Sequence, residues 1–185
     1  EDSEDVKIQD YVKMTDRITK KFDQDKYYTL PKDLKKEIRF KIEGFEYPPQ
    51  RYYLLMHDMW VQLLPNGWAR VGITPFGVHL SGHFFMCRPK AKGTLVLQGQ
   101  SMAVAELNKT VVTIKSPISG QIQAINPELE HHPEIIQLDP LGQGWLVDLS
   151  PTQWEQDLAH LAHGESLQAQ AQERMALEPQ RSGEA

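Results

Sequence analysis

The sequence predicts a mainly β protein, a small barrel or sandwich with short flanking helices and one C-terminal helix. Two observations carry this expectation. From about residue 50 onward, short runs rich in Val, Ile and Leu alternate with breaks at Gly, Pro and Asn. At both ends of the 185-residue chain the character changes, to a charged segment at the N-terminus and a polar, alanine-rich one at the C-terminus.

Taken in order, residues 1–49 form a charged N-terminal extension. Eleven of the twenty Lys and Arg fall in the first 50 residues, offset by twelve Asp and Glu, so the segment is charge-dense but nearly neutral. In "KIQDYVKMTDRITKKF" the residues Ile8, Val12, Ile18 and Phe22 recur at roughly helical spacing and predict a short amphipathic helix. "TLPKDLKKEIRFKIEGF" opens like a helix, with Thr29 as N-cap and Pro31 in the first turn. Ile38, Phe40 and Ile42 then alternate as in a strand.

The central region, residues 50–165, holds the strands. "MWVQLLPNGWARVGI" is a hairpin pattern, two apolar runs around Pro65-Asn66-Gly67. "PFGVHLSG" predicts a short helix closed by Gly82, and "HFFMCR" a strand after it. "GTLVLQGQSMAVAEL" and "KTVVTIKSPISGQIQAIN" predict further strands, broken at Gly93, Gly99 and Pro117-Ile118-Ser119-Gly120. Asn126 before Pro127 reads as an N-cap, and "QGWLVDLS" as a last strand. In "SPTQWEQDLAHLAHGESL" Ser150 reads as an N-cap and Pro151 as the first helical residue. Trp154, Leu158 and Leu161 give that helix its apolar stripe, and Gly164 its end. Residues 166–185 read as a polar tail that extends the helix and then frays.

Bulk properties remove some functions. A net charge of −5 with 24% charged residues argues against a general nucleic-acid binder, which needs clustered positive charge. No apolar run approaches the roughly 18 residues of a membrane span. No signal peptide is visible, and Cys87, the single cysteine, permits no intrachain disulfide; both fit a cytoplasmic protein. His79, His83 and Cys87 stand four apart, a zinc-like spacing on one helix, but Gly82 interrupts that helix. His160 and His163 are expected on one face at a helix C-terminus, His131 and His132 in a loop, and Trp60, Trp68 and Trp145 in packing roles. No nucleophile elbow or other catalytic set is present, so the chain reads as a non-enzyme.

Lys109 is the residue that stands out. It lies between two β-rich segments, where a hairpin tip is expected. Gly93 and Gly99 precede it by 16 and 10 residues, Gly120 follows by 11, and Glu106 stands three before it. A lysine amine on a four-carbon stem is a flexible nucleophile, and a hairpin fixes the direction in which it points.

Four motifs then occur in one order: "NGWARVGIT", "ELNKT", "SPISGQIQAIN" and "LDPLGQGWLVDL". Over roughly residues 50–165 the chain resembles the lipoyl-domain family, and more widely the H proteins of glycine cleavage. The family's counterparts read Gly-x-Ala-Arg-Val-Gly-Ile-Thr, Glu-Ser-Val-Lys-Ala, Ser-Pro-Val-Ser-Gly and Asp-Pro-Tyr-Gly-x-Gly-Trp-Leu. The resemblance implies a lipoyl-type barrel-sandwich hybrid. It implies covalently bound lipoic acid on Lys109, Glu106 as the mark read by the lipoylating enzyme, and Gly93, Gly99 and Gly120 as turns of the fold.

It also implies a carrier that takes an aminomethyl group from a pyridoxal-phosphate-dependent glycine decarboxylase. The carrier presents that group to a tetrahydrofolate-dependent aminomethyltransferase and is reoxidised by a flavoprotein, dihydrolipoyl dehydrogenase. Leu107, Asn108 and Thr110 depart from the family's Ser, Val and Ala. That departure keeps other readings open: a specialised paralogue, an unmodified scaffold in a larger complex held through residues 1–49 and the C-terminal tail, or a lipoate carrier for a sulfur-oxidising, heterodisulfide-reductase-like system, whose turn reads Glu-Ser-Gly-Lys. Biotin is the weaker rival, because biotin domains flank their lysine with methionines.

Overall fold

The computed structural model describes residues 40–179. The helices expected around residues 8–22 and from Thr29 onward lie outside that range. Among the described residues, eleven strands make three sheets. The largest has six strands: β3 (Tyr52–Leu54), β4 (Met59–Leu63), β5 (Ala69–Ile73), β11 (Val147–Pro151), β10 (Gly120–Ile125) and β7 (Leu95–Val96), in that order across the sheet. A three-stranded sheet, β6 (Met86–Pro89), β8 (Ser101–Glu106) and β9 (Val111–Lys115), encloses the core with it. A small hairpin, β1 (Lys41–Ile42) with β2 (Phe45–Glu46), precedes them.

The hairpin around Pro65-Asn66-Gly67 forms as expected. β4 and β5 pair from Met59↔Ile73 to Leu63↔Ala69. Gly67 takes φ 85°, a conformation with little penalty only for glycine, and the Asn66 side chain accepts a hydrogen bond from the Trp68 N–H. Helix α1 (Pro75–Ser81) follows with Thr74 as N-cap and Gly82 closing it at φ 77°. Asn126 caps a single 3₁₀ turn, Pro127–Leu129, by accepting from the Glu128 N–H, and α2 (Ile135–Leu138) comes after it.

Three expectations fail between residues 145 and 165. Ser150 and Pro151 do not open a helix but end strand β11, because the backbone there is claimed by the ladder with Gln121 and Gly120. Helix α3 is consequently short, Trp154–Leu158, with Gln153 as N-cap. Gly164 begins a 3₁₀ turn rather than ending a helix. His160 and His163 do not share a helix face. His163 stacks on Tyr52 with centroids 4.0 Å apart and hydrogen-bonds the Arg51 carbonyl.

Beyond residue 165 the described residues are more than a tail. Leu167–Ala176 form helix α4, whose Leu167, Ala171 and Met175 are buried together with Phe40, Ile42, Tyr47, Tyr53, Trp60 and Phe76. Spacings of four along the helix put those three side chains on one face. Arg174, on the next face, donates to Asp58 at 2.8 Å and to the Leu55 carbonyl at 3.1 Å, and lies over the Phe76 ring. Burial pushes the Asp58 carboxyl above its ordinary value, although the Arg174 charge pulls the other way. Residues just before and just after the central region thus share one apolar cluster.

Trp60 anchors that cluster. It is fully buried, donates to the Pro140 carbonyl at 3.0 Å and lies under the Arg51 guanidinium. Its ring fills the space beside Gly72, where an added Cβ would stand 2.5 Å from the nearest ring atom. Gly72→Ala is therefore expected to cost about 1–3 kcal/mol through overpacking, read as a lowered thermal midpoint. Arg174→Ala is expected to cost about 3 kcal/mol or more by leaving the Asp58 charge buried without its partner, and to expose α4 amides to hydrogen exchange. An unchanged exchange pattern in that variant would contradict the account of α4.

Candidate functional site

The alternation of side chains along β8 and β9 decides what the hairpin shows to solvent. Ala103, Ala105 and Ile114 face the core and are buried, while Glu106, Val111 and Thr113 face outward and are exposed. The register runs Glu106↔Val111, Ala105↔Val112, Val104↔Thr113. On the other side β6 pairs Met86 with Glu106 and Arg88 with Val104. Met86, Glu106 and Val111 therefore form one outward row at the end of the sheet.

Four residues, Leu107, Asn108, Lys109 and Thr110, connect the strands. The Leu107 N–H donates to the Thr110 carbonyl at 2.8 Å and closes the loop. Lys109 is exposed at its tip, and its side chain makes no hydrogen bond or ion pair among the described residues. The Glu106 side chain is exposed at the base, and its backbone carbonyl accepts from the Phe85 N–H at 2.9 Å, which ties the strand end to β6. Lys115 sits at the opposite end of β9, half-buried. Its charge, after burial itself, helps to lower the pKa of His57.

The three glycines singled out from the sequence take two different roles. Gly93 and Gly99 lie in turns at φ 90° and 80°. The Gly93 N–H donates to Ile122 and the Gly99 N–H to Ser116, so these turns fasten the chain on either side of β7. Gly120 differs from the expectation of a turn. It is the first residue of β10 and buried, and a Cβ there would stand 2.6 Å from the Ser150 carbonyl oxygen. Close approach of β11, not turn geometry, makes this position small.

A lysine amide needs a free amine with open space around it, and Lys109 meets that requirement. The remaining candidates do not assemble a site of their own. Among the described residues no group of three or more His, Cys, Asp or Glu stands close enough to hold a metal ion. His79 rests against Phe45, while His83 contacts Phe85 and hydrogen-bonds the Gln137 side chain. No helix among the described residues is long and apolar enough to cross a membrane.

In the sequence Leu107 stands out only as a departure from the family's Ser, with no packing role. It is half-buried and packed against the main core beneath the loop. The signal was available in the alternation Ala103, Ala105, Leu107, which runs one residue past the strand.

Cys87 lies on β6 facing inward, and burial pushes its thiol up to about 12 from the ordinary 9.0. Iodoacetamide is therefore expected to label Cys87 at least roughly tenfold more slowly in the native protein than in urea, measured by intact mass. Equal rates would contradict the burial.

Comparison with known proteins agrees with this geometry. A family model described as Glycine cleavage H-protein matches residues 51–174. The chain is 32% identical over 129 residues to glycine cleavage system H protein 3 of Aquifex aeolicus, covering 68% of this chain and 80% of that protein. It is 40% identical over 99 residues to the glycine cleavage system H protein of Aeromonas hydrophila, covering 54% and 76% respectively. A crystal structure of a glycine cleavage system H protein from Mycobacterium marinum superposes with a TM-score of 0.59 at 31% identity, covering 69% of this chain and 99% of that one. The chain belongs to the glycine cleavage H-protein family, and its mainly β body is a lipoyl-type barrel-sandwich hybrid.

Proposed function

We propose that this chain is a lipoyl carrier whose arm is attached to Lys109 and shuttles an aminomethyl group in glycine cleavage. The observation that carries the proposal is the placement of Lys109, the exposed lysine at the tip of a hairpin whose strands are held in a core-packed sheet. Family membership supports the cofactor class.

Joined through its carboxyl to the Lys109 amine, lipoate supplies a disulfide ring that accepts a transferred group and is reduced as it does so. The protein's own residues do the rest. The β8–β9 ladder fixes the root of the arm. The Glu106 carboxylate gives the lipoylating enzyme a negative mark three residues from its target. The long lysine stem leaves the arm free to reach successive partners, and tethering raises its effective concentration at each docked enzyme. Those partners, on this reading, are glycine decarboxylase, aminomethyltransferase and dihydrolipoyl dehydrogenase, in the cytoplasm. Buried and held as a thiol, Cys87 does not compete with the arm's sulfurs in exchange.

The chain is expected to gain one lipoyl group when incubated with lipoate, ATP and a lipoate–protein ligase, as read by intact mass. Lys109→Arg should abolish the gain and Lys115→Arg should keep it. Glu106→Gln should lower kcat/KM for modification about tenfold, or 1.4 kcal/mol, without moving the thermal midpoint. A chain that stays unmodified sinks the proposal and favours an unmodified scaffold; one modified at Lys115 instead sinks Lys109 as the attachment point.

A further inference from the structure

We infer that Leu107 is the positioning residue for modification of Lys109: its half-buried side chain, packed against the core beneath the loop, holds the tip in the one place where the amine can be acylated. The inference rests on Lys109 being the attachment point.

Of the four loop residues, Asn108, Lys109 and Thr110 are all exposed. Thr110 contributes only a long 3.5 Å hydroxyl contact to the neighbouring Val111 carbonyl. Leu107 alone reaches the body of the protein, packed against the same cluster as Ala105 and Val112. The loop's other restraint is the single hydrogen bond from the Leu107 N–H to Thr110. That bond also depends on where Leu107 sits. If the side chain lets go, the loop keeps no independent hold, and the tip samples a range of positions.

Acylation is sensitive to that range. The neutral Lys109 amine attacks the carbonyl carbon of an activated lipoate, a lipoyl adenylate. The N–C bond forms, the C–O bond to the adenylate phosphate breaks, AMP leaves with the electron pair, and one proton is released. The nitrogen must come to within about 3–3.5 Å of that carbon, and a misplacement of roughly 1 Å can cost up to a hundredfold. A core-anchored apolar residue beside an exposed amine gives the backbone a fixed position while leaving the lysine stem mobile. This chain places Leu107 at that point in a loop whose other residues are polar.

The test compares lipoylation rates of the whole chain with ligase, lipoate and ATP, together with amide exchange at residues 108–110 in the unmodified protein. Leu107→Asn, which is polar but not the family's residue, is expected to lower kcat/KM roughly tenfold to a hundredfold and to speed exchange in the loop, and Leu107→Met to keep both near wild type. Ile114→Val, which trims buried core packing opposite Ala103 and away from the loop, should reduce the thermal midpoint yet keep the wild-type rate. Should Leu107→Asn not fold, Leu107→Ala makes the same comparison. A wild-type rate in Leu107→Asn or Leu107→Ala, or an equal slowing by Ile114→Val, would overturn the inference while leaving Lys109 as the attachment point. A wild-type chain that takes no lipoyl group overturns the attachment reading itself, and the inference with it.

Discussion

Strand β11 is the constraint on which the rest depends. It pairs with β5 on one edge, Val147↔Val71 and Leu149↔Ala69, and with β10 on the other, Val147↔Ile125 and Leu149↔Ile122. The two halves of the chain meet in this one strand. Val147 and Leu149 are fully buried between them. Asp148 points the other way and takes a two-pronged bond from Arg70, 2.9 and 3.1 Å, while Arg70 lies flat on Trp145. A buried apolar pair and a paired charge on opposite faces set the register, because a slip of one residue would send the charge into the core.

That ladder is what gives the β8–β9 hairpin something rigid to stand on. Gly120, small because β11 presses against it, leads from the β9 side of the chain into β10. The turns at Gly93 and Gly99 are fastened to Ile122 and Ser116 by their amides. Ser119 donates to the buried Asp157 carboxylate, and Gln98 bridges Pro117 and the Asp157 carbonyl. The crossings from β6 to β7, from β7 to β8 and from β9 to β10 are therefore hydrogen-bonded at short intervals.

Much of this was legible in the chain itself, and the failures share a cause. Pro65-Asn66-Gly67, Thr74 with Pro75, and Asn126 with Pro127 are local chemistry, and the backbone obeys them. Ser150-Pro151 is equally persuasive locally, yet the long-range pairing with Gly120 and Gln121 overrides it. Helix α4 went under-read because its buried face, Leu167, Ala171 and Met175, is one residue wide and set among Gln and Ala. Its partners Phe40, Ile42 and Tyr47 lie some 120 positions earlier, where no local pattern points. Lys109 stands out in the sequence because it lies between strands broken by glycine, and the structure leaves both Lys109 and Glu106 exposed. Leu107 was hidden because the loop was read as a set of flanking letters rather than as the continuation of β8.

A carrier's lysine has two requirements that pull apart. Its side chain must be free, since the stem and whatever it bears have to visit more than one surface. Its backbone must be fixed, since each of those surfaces expects the arm to start from the same place. A flexible loop satisfies only the first requirement, and a lysine within a strand would satisfy only the second. The hairpin reconciles them by changing character within four residues. Ala105 and Leu107 face the core, Glu106 faces outward, and by Lys109 nothing but covalent bonds and one cross-loop hydrogen bond remains. On the proposed reading, the loss of order is confined to the side chain where it is useful, since ordering a long lysine in any single pose would cost rotamer freedom on which an arm attached there would depend.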